Sequence, residues 1–420
     1  MNAFVSPPFE RGNKDARKEM DIRIEPTKLR GEVRAVASKS AAHRLLICAG
    51  LARGETEIVC RELSRDIEAT ADCLRSLGAH ICYENSAFRV SPPESPVRHA
   101  ALDCGESGST VRFLLPVLCA LGSEATIRLH GRLPERPLSP LWEELEKHGA
   151  VLSRPARDLV AVSGRFTGGE CEIAADVSSQ FISGLLLALP LTGGGTIRLT
   201  GRLESAPYIE MTRRAQALFG VESVFDGACY TVPAQDYRSP GHIETEGDWS
   251  AAAFWIAANA LSGGGVFCAG LDPDSAQGDR AVVALTEQIR RGNAEIDARD
   301  IPDLVPVLAV LAAVSPGKTA FINAGRLRLK ESDRLATTAA MLRALGGKVE
   351  ETAEGLLITG RDRLAGGTVD SAGDHRIAMS AAVASIACAA PVTILGAESV
   401  EKSYPDFWRD FQSLGGTYFS

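Results

Sequence analysis

Polar and apolar segments alternate along the chain in an order that recurs six times. In each copy a short polar motif precedes an apolar segment that lacks a polar face, which is typical of a helix buried inside its domain. The predicted buried helices cover residues 44–51, 111–121, 181–191, 251–261, 304–314 and 377–389. A turn of small residues and an apolar β-type run follow at 54–58, 122–127, 193–197, 263–267, 317–322 and 390–394.

An amphipathic segment that ends at a glycine completes each copy. In 66–77 and 334–345 the charged positions fall on one side of a helix, and a glycine at the end of such a helix suits a left-handed C-cap. The closing glycines are Gly78, Gly149, Gly220, Gly292, Gly346 and Gly415, with spacings of 71, 71, 72, 54 and 69 residues. Two landmarks that share one period indicate six copies of one supersecondary unit. The short interval fits a shortened copy.

Composition narrows the class of protein. A chain of 420 residues exceeds one ordinary core, so two or three domains are expected. The net charge of −8 argues against a nucleic-acid or membrane-surface protein, and no apolar run reaches the roughly 20 residues of a membrane helix. The ten cysteines stand singly, so we expect no disulfide framework, no metal site and a cytoplasmic location.

Residues 1–19 are predicted to be a disordered tail, and Met20 is an alternative start.

The polar motifs stand at the N-terminal ends of the six predicted buried helices. They read Ser38-Lys39-Ser40, Glu106-Ser107-Gly108-Ser109, Asp176-Val177-Ser178-Ser179-Gln180, Glu246-Gly247-Asp248-Trp249-Ser250, Asp300-Ile301-Pro302-Asp303 and Gly373-Asp374-His375-Arg376. Any one of them is best explained as helix capping. Cations occur at matching points of the repeat: Lys39, Arg112, Arg136, Lys330, Arg334, Arg376 and Lys402. If the copies pack symmetrically, these helix ends and cations form a site for a multiply anionic small molecule.

In the order of these motifs the sequence resembles the enolpyruvyl transferases over about residues 21–420. The matching segments are 38–40 with Arg44, 108–112, 135–137, 178–180, Ser205 with 207–208, 301–303, 330–335, 374–376 and 402–406. The resemblance implies an α/β (α+β) fold, a two-domain inside-out α/β barrel of six βαβαββ repeats with three per domain. It also implies a discontinuous domain of residues 20–37 plus 247–420, a second domain of residues 38–246, and an active site in the cleft between them.

The reaction that the resemblance implies transfers the enolpyruvyl group of phosphoenolpyruvate to the 5-hydroxyl of shikimate 3-phosphate by addition and elimination, with release of phosphate. No cofactor or metal is expected, and the chain is expected to be a monomer. By motif match, shikimate 3-phosphate contacts Lys39, Ser40, Arg44, Ser178, Ser179, Gln180, Ser205, Asp303 and Lys330. Phosphoenolpyruvate contacts Lys39, Gly108, Arg136, Gln180, Arg334, Arg376 and Lys402.

Three residues are candidates for proton transfer. Asp303 is the candidate base for the 5-hydroxyl, Glu331 is the candidate group at the methylene carbon, and Lys39 can act in either step. The alternatives are that Asp303 only caps a helix and that Lys330 and Glu331 form a solvated helix start.

Three other residues are ambiguous. Arg112 is interpreted as a structural cation under the Gly108 loop, and His375 as an orienting residue beside Arg376. Arg326 stands where some family members carry Asn, and it either reaches the acceptor phosphate or faces solvent.

Two other functions are compatible with parts of the sequence. The sister enzyme, which transfers enolpyruvate to UDP-N-acetylglucosamine, usually has Lys-Asn in the first motif and a reactive cysteine on a mobile loop. Here Ser40 follows Lys39, and residues 128–137 contain no cysteine. A non-enzymatic anion-binding scaffold would explain the periodicity but not the carboxylates of Asp303 and Glu331 among the cations.

Overall fold

The computed structural model describes residues 20–95 and 97–420; the tail predicted for residues 1–19 lies outside the described residues. The helices are α1 (Lys39–Leu51), α2 (Arg65–Ser76), α3 (Gly108–Leu121), α4 (Leu141–Lys147), α5 (Ser179–Ala188), α6 (Ala206–Leu218), α7 (Trp249–Ser262), α8 (Val282–Arg291), α9 (Val305–Ala313), α10 (Arg334–Ala344), α11 (His375–Ala384) and α12 (Phe407–Ser413). No helix in these described stretches is long and apolar enough to cross a membrane.

The strands are short. They are β1 (Ile22–Ile24), β2 (Gly31–Arg34), β3 (Thr56–Val59), β4 (His80–Glu84), β5 (Ala87–Ser91), β6 (His99–Asp103), β7 (Glu124–Arg128), β8 (Ala150–Ala156), β9 (Leu159–Gly164), β10 (Gly169–Ala174), β11 (Gly194–Thr200), β12 (Val224–Phe225), β13 (Cys229–Pro233), β14 (His242–Glu244), β15 (Val266–Ala269), β16 (Ala294–Asp297), β17 (Lys318–Ile322), β18 (Lys348–Thr352), β19 (Gly355–Thr359), β20 (Gly367–Asp370), β21 (Val392–Leu395) and β22 (Tyr418–Phe419).

Each repeat contributes one small sheet. The sheets have the strand orders β14-β3-β5-β4, β6-β7-β9-β8, β10-β11-β13-β12, β15-β2, β16-β17-β19-β18 and β20-β21-β1-β22. In every four-stranded sheet the first two strands are parallel and the other pairs are antiparallel. The six-copy prediction is therefore confirmed, and all six closing glycines have the positive φ that a non-glycine residue rarely adopts.

The short interval of the repeat has a structural cause. After Gly78, Gly149, Gly220 and Gly346 the chain forms an antiparallel hairpin, namely β4–β5, β8–β9, β12–β13 and β18–β19. After Gly292 it enters β16 at Ala294, and β16 pairs in parallel with β17. The copy that begins with α7 therefore lacks the hairpin, and its sheet contains only β15 and β2.

The polar motifs cap five of the six buried helices. The capping oxygens, which accept backbone N–H groups of the first turn, belong to Ser38, Ser107, Ser178, Asp248 and Asp374. The exception is α9, which has no side-chain cap and carries Pro306 in its first turn. Since Asp303 does not cap α9, its carboxylate is available for other contacts.

Buried apolar side chains form two separate cores. One core draws on residues 22–36 and 249–414, and the other on residues 42–243. Two segments of the chain connect the cores, and they lie side by side. Ala37 forms a β-bridge with Gly247, and the Ser38 N–H donates to the Glu246 carbonyl at 2.8 Å. The domain limits given above stay a prediction.

Candidate functional site

The N-terminal ends of the buried helices meet at a cavity between the two cores. The first turns of α1, α3 and α5 line it from one side, and α11 together with the segments before α9 and α10 lines it from the other. The predicted site residues on its wall are Lys39, Ser40, Arg44, Gly108, Arg136, Ser178, Ser179, Gln180, Ser205, Asp303, Lys330, Glu331, Arg334 and Arg376. The structure thus brings together the whole predicted set except Lys402.

The cavity wall is strongly cationic. Eight Lys and Arg side chains line it, against three carboxylates, those of Asp66, Asp303 and Glu331. The chain as a whole carries a net charge of −8, so this local excess of positive charge runs against the global sign. Such a wall favours a small ligand with several negative charges.

Asp303 lies at the centre of the cations. Its carboxylate accepts hydrogen bonds from Arg334 Nη1 at 2.7 Å, Arg376 Nη2 at 2.9 Å and the Tyr208 hydroxyl at 3.3 Å, and Lys330 Nζ lies 3.8 Å away. Burial alone would raise the pKa of this carboxyl, but Arg376, Lys330 and Arg334 hold it well below its usual value. Asp303 is therefore ionised, and its interpretation as a helix cap is wrong.

Arg334 connects three carboxylates. Besides Asp303, its guanidinium donates to Glu331 Oε2 at 2.6 Å and to Asp374 Oδ2 at 2.8 Å. Arg334 is almost fully buried, and Asp374 at the same time caps α11. One buried guanidinium thus fixes the positions of Asp303 and Glu331 relative to each other.

Glu331 and Lys330 are not a solvated helix start. The Glu331 side chain is 15% exposed and also lies 3.4 Å from Arg136 Nη1. Burial raises the pKa of Glu331, but Arg334, Arg136 and Lys402 together hold it well below its usual value. Burial lowers the pKa of Lys330 to about 8, although Asp303 acts in the opposite direction. Lys330 is therefore a cation that titrates just above neutral pH.

Lys39 is fixed at both of its ends. Its backbone N–H donates to Asp248 Oδ2 at 3.1 Å, and its ammonium group lies 3.0 Å from Asp66 Oδ2. Burial raises the pKa of Asp66, but Lys39 and Lys402 hold it below the usual value. Asp66 was not predicted as a site residue, because an acidic residue in the first turn of a helix is typical of an exposed surface position.

Gly108 gives Arg136 room to reach the cavity. A Cβ at Gly108 would lie 2.8 Å from Arg136 Nη1 and 2.9 Å from Arg112 Nη1. Arg112 donates to Gln180 Oε1 at 2.8 Å and to the Pro137 carbonyl at 3.0 Å, with its guanidinium over the Phe181 ring. These contacts are those expected of a structural cation, and through them Arg112 orients Gln180.

Arg44 has only neutral partners among the described residues. Its donors reach the carbonyls of Ser40 and Tyr208 and the Thr212 hydroxyl, at 2.6–2.8 Å. Its guanidinium lies over the Phe113 ring, and burial lowers its pKa to about 10. The Arg44 charge thus lacks a carboxylate partner, and it adds positive potential beside α1.

Lys402 lies beside the cavity, whereas His375 lies on its wall next to Arg376. Lys402 Nζ lies 3.1 Å from the Glu106 carbonyl and 3.5 Å from Glu106 Oε2, and Lys402 does not form part of the cavity wall. His375 lines the cavity and is buried, and burial holds its pKa well below the usual value. His375 is therefore neutral, and no described side chain hydrogen-bonds to either ring nitrogen.

Several wall residues were not predicted to bind. They are Ser109, Phe113, Pro137, Val177, Tyr208 and Leu329, together with Asp66. Ser109, Pro137 and Tyr208 lie inside the matching segments 108–112, 135–137 and 207–208, which is the signal that could have found them. Phe113, Val177 and Leu329 are apolar, and nothing in their sequence context separates them from core residues.

One group of described residues has metal-ligand chemistry outside the cavity. Ligand atoms of Glu144, His148 and Cys171 lie within 4.8 Å of one another. The Glu144 Oε1 atom, however, already accepts from His148 Nε2 at 3.1 Å and from the Glu172 N–H at 2.9 Å. These hydrogen bonds account for the buried Glu144 side chain.

Comparison with known proteins identifies the family. The EPSP synthase (3-phosphoshikimate 1-carboxyvinyltransferase) family model matches residues 24–411. The 3-phosphoshikimate 1-carboxyvinyltransferase of Clostridium kluyveri is 41% identical over 417 residues, covering 94% of this chain and 97% of that protein. The Clostridium novyi protein of the same name is 39% identical over 425 residues, covering 94% and 98%. The chain belongs to the EPSP synthase family.

The fold also agrees with solved structures. EPSP synthase from Acinetobacter baumannii superposes with a TM-score of 0.77 at 23% identity, covering 95% of this chain and 100% of that chain. Together with the repeated sheets, this similarity confirms the predicted two-domain α/β fold class.

Proposed function

We propose that the chain is a 3-phosphoshikimate 1-carboxyvinyltransferase, a transferase of the shikimate pathway. It would move the enolpyruvyl group of phosphoenolpyruvate to the 5-hydroxyl of shikimate 3-phosphate and release phosphate. The observation that carries the proposal is the ionised Asp303 carboxylate inside a wall of eight cationic side chains. A base and a strongly anion-binding wall are what this reaction between two phosphorylated substrates needs.

The addition step follows from this geometry. Asp303 takes the proton of the acceptor hydroxyl, the hydroxyl oxygen bonds to C2 of phosphoenolpyruvate, and the methylene carbon C3 gains a proton to become a methyl group. Arg136, Arg334 and Arg376 neutralise the carboxylate and phosphate of phosphoenolpyruvate during this change. In the elimination step the methyl group loses a proton and the C2–O bond to phosphate breaks.

Glu331 is the proposed group at C3. In the structure Arg334 and Arg136 keep it ionised. When an anionic substrate draws these guanidinium groups to itself and adds its own negative charge, the pKa of Glu331 rises. Binding of phosphoenolpyruvate therefore prepares Glu331 to carry the proton that C3 gains and later returns, and Lys39 is the second candidate for this transfer.

The proposal includes the predicted organisation. Residues 20–37 plus 247–420 form one domain and residues 38–246 the other, since the two cores divide along the chain in the same way. The chain acts as a monomer, because one chain supplies the whole cavity wall. It works in the cytoplasm without a cofactor; the ten cysteines, all in the described residues, are free thiols.

A phosphate-release assay tests the function. Phosphoenolpyruvate is supplied with shikimate 3-phosphate, with UDP-N-acetylglucosamine or with no acceptor, and phosphate is measured in a coupled reaction. We expect release only with shikimate 3-phosphate, the acceptor named by the relatives. Release with UDP-N-acetylglucosamine, or no release with shikimate 3-phosphate, would overturn the proposal.

A further inference from the structure

A row of buried polar residues lies next to the cavity wall. It runs from His43 on α1 through Thr70 on α2 to Thr110 and Ser107 at the start of α3, and all four residues are fully buried. His43 Nδ1 lies 2.7 Å from Thr70 Oγ1, Thr70 Oγ1 lies 2.6 Å from Thr110 Oγ1, and Thr110 Oγ1 donates to Ser107 Oγ at 2.7 Å. This polar row joins three helices inside an otherwise apolar core.

The hydrogens of the polar row can be placed by counting donors. A hydroxyl carries one hydrogen and therefore donates one hydrogen bond. Thr110 Oγ1 uses its hydrogen on Ser107 Oγ, so the 2.6 Å contact with Thr70 needs the hydrogen of Thr70. The Asp66 carbonyl, 3.5 Å from Thr70 Oγ1, is the poorer acceptor for that hydrogen. Thr70 then has no hydrogen left for the 2.7 Å contact with His43, so His43 Nδ1 is the donor there.

The second ring nitrogen of His43 supports the same assignment. Among the described residues His43 Nε2 has no hydrogen-bond partner. A hydrogen on Nδ1 leaves Nε2 with only a lone pair, whereas the opposite tautomer would bury an N–H group without an acceptor, which folded proteins rarely contain. Burial lowers the pKa of His43 to about 3, and Lys39 and Arg44 act in the same direction against Asp66. Near neutral pH the ring therefore carries a single hydrogen, on Nδ1.

The far end of the polar row fixes the first turn of α3. Ser107 Oγ accepts both the hydroxyl hydrogen of Thr110 and its backbone N–H, the latter at 3.3 Å, and so forms the N-cap of α3. Gly108 is the next residue, and its missing Cβ leaves room for the Arg136 guanidinium. A shift of Ser107 would therefore move Gly108 and change the space that is open to Arg136.

We propose that His43 is a positioning residue for phosphoenolpyruvate: by donating from Nδ1 at the head of the polar row, it holds the first turn of α3, and with it Gly108, in the place that lets Arg136 reach the substrate. This inference rests on the proposed function, because it assigns phosphoenolpyruvate to that cavity. His43 also lies one helical turn after Lys39 on α1, so the row connects two elements that are proposed to bind this substrate. The serines proposed to bind the acceptor begin α5, which the row does not include, so its effect is expected mainly on phosphoenolpyruvate.

His43→Leu and His43→Asn test the donor. Leucine fills a similar volume without a donor, and loss of one buried hydrogen bond is expected to raise KM for phosphoenolpyruvate by about three- to tenfold. KM for shikimate 3-phosphate is expected to stay within about twofold of the wild type. The side-chain amide of asparagine places an N–H close to the position of Nδ1, so His43→Asn is expected to restore most of the wild-type KM. A role in packing alone would neither separate the two substrates nor favour the smaller, polar asparagine over leucine.

Substitutions of Thr70 interrupt the row at its middle. Thr70→Val keeps the shape of the side chain and removes the hydroxyl, so it is expected to raise KM for phosphoenolpyruvate as His43→Leu does, whereas Thr70→Ser keeps the hydroxyl and should resemble the wild type. Thr286→Val is the matched control, because Thr286 is a buried residue of α8, outside the cavity wall, whose hydroxyl has no partner among the described residues. Both of its KM values are expected to match the wild type. Thermal unfolding checks that each variant is folded at the assay temperature.

Nitrogen-15 NMR of wild-type protein with labelled histidine reports the tautomer directly, and the signal that disappears in His43→Asn assigns it. We expect the hydrogen on Nδ1. A hydrogen on Nε2, or folded His43→Leu and Thr70→Val variants with the wild-type KM for phosphoenolpyruvate, would overturn the inference while the proposed function stands. An equal rise of both KM values in these variants would overturn it as well. If the wild type releases no phosphate with shikimate 3-phosphate, the proposed function itself fails.

Discussion

Gly108 and Arg136 lie so close that a single methyl group at residue 108 would be 2.8 Å from Arg136 Nη1 and 3.0 Å from Arg136 Cζ. The contact is with the far end of a flexible side chain, so an alanine would displace the guanidinium rather than disrupt the fold. Arg136 is proposed to hold phosphoenolpyruvate, so the missing Cβ sets the position of a substrate-binding cation.

Gly108→Ala is expected to raise KM for phosphoenolpyruvate by roughly tenfold or more, because a displacement of about 1 Å at a binding group is costly. Glyphosate, an inhibitor of the phosphoenolpyruvate site in this family, is expected to inhibit the wild type and to inhibit the variant less. Steady-state kinetics and thermal unfolding measure these effects. An unchanged inhibition constant in a variant of wild-type stability would contradict the placement of Gly108.

Asp303→Asn is expected to lower kcat by about 10²- to 10⁴-fold, the range of general-base catalysis. The amide keeps the shape of the side chain but cannot accept the proton of the acceptor hydroxyl. Binding of shikimate 3-phosphate, measured by calorimetry, is expected to persist because the surrounding cations remain.

Tyr208→Phe serves as the control for Asp303. It removes the 3.3 Å hydrogen bond to the same carboxylate without removing the base, so its loss of kcat should be much smaller. Equal losses in the two variants would show that the hydrogen-bonded arrangement, not the base, is what matters.

Lys330 gives the acceptor site a pH dependence. Its pKa is lowered to about 8 by burial, so it is charged below that pH and neutral above it. Binding of shikimate 3-phosphate is therefore expected to weaken as pH rises through about 8, seen as a rising KM between pH 7 and 9.5. Lys330→Arg keeps its charge throughout and should remove this rise. A rise of the same size in both proteins would assign the titration to another group.

The repeat and most of the site could be predicted because both depend on local chemistry. Buried helices, closing glycines and N-caps each follow from the sequence of a few neighbouring residues. Once α1, α3, α5 and α11 are placed, the residues in their first turns fall together on the cavity wall. The cationic residues of the loops could be predicted from the order of the motifs along the chain.

The remaining contacts depend on packing between distant segments. Lys39 meets Asp66 only because α1 packs beside α2, and Arg334 connects to Asp303 and Asp374 across 31 and 40 residues of chain. Lys402 contacts Glu106, which is 296 residues away in the chain. This contact holds the Lys402 side chain beside the cavity instead of on its wall. No local pattern in the sequence predicts these long-range contacts. The position of Asp66 in the first turn of α2 indicated only the start of a helix.

Asp279 is a buried carboxyl that the proposed reaction does not use, and it links pH to stability. It lies in the 3-10 segment Gly278–Ala281 and is 1% exposed; one oxygen accepts the Ser250 hydroxyl, and the other has no partner among the described residues. Burial and then the neighbouring Asp303 raise its pKa to about 7. The native state therefore holds a proton between about pH 4 and 7 that the unfolded state has lost, and the free energy of unfolding falls as pH rises through this window.

Asp279→Asn should remove this contribution. Relative to the wild type, the variant's free energy of unfolding is expected to increase from pH 5 to pH 8 by up to about 3 kcal/mol, because the folded pKa lies about two units above pH 5 and one pKa unit corresponds to about 1.4 kcal/mol. Urea unfolding at pH 5, 6, 7 and 8 measures the free energy of unfolding of both proteins. A pH-independent effect of the substitution shifts all four values equally, so it does not alter the expected change with pH. Glu62, whose pKa burial also raises to about 7, stays in both proteins, so its titration cancels as well; Glu62→Gln in both backgrounds checks this. Parallel curves for the wild type and Asp279→Asn across the four pH values would show that Asp279 is ionised in the folded protein.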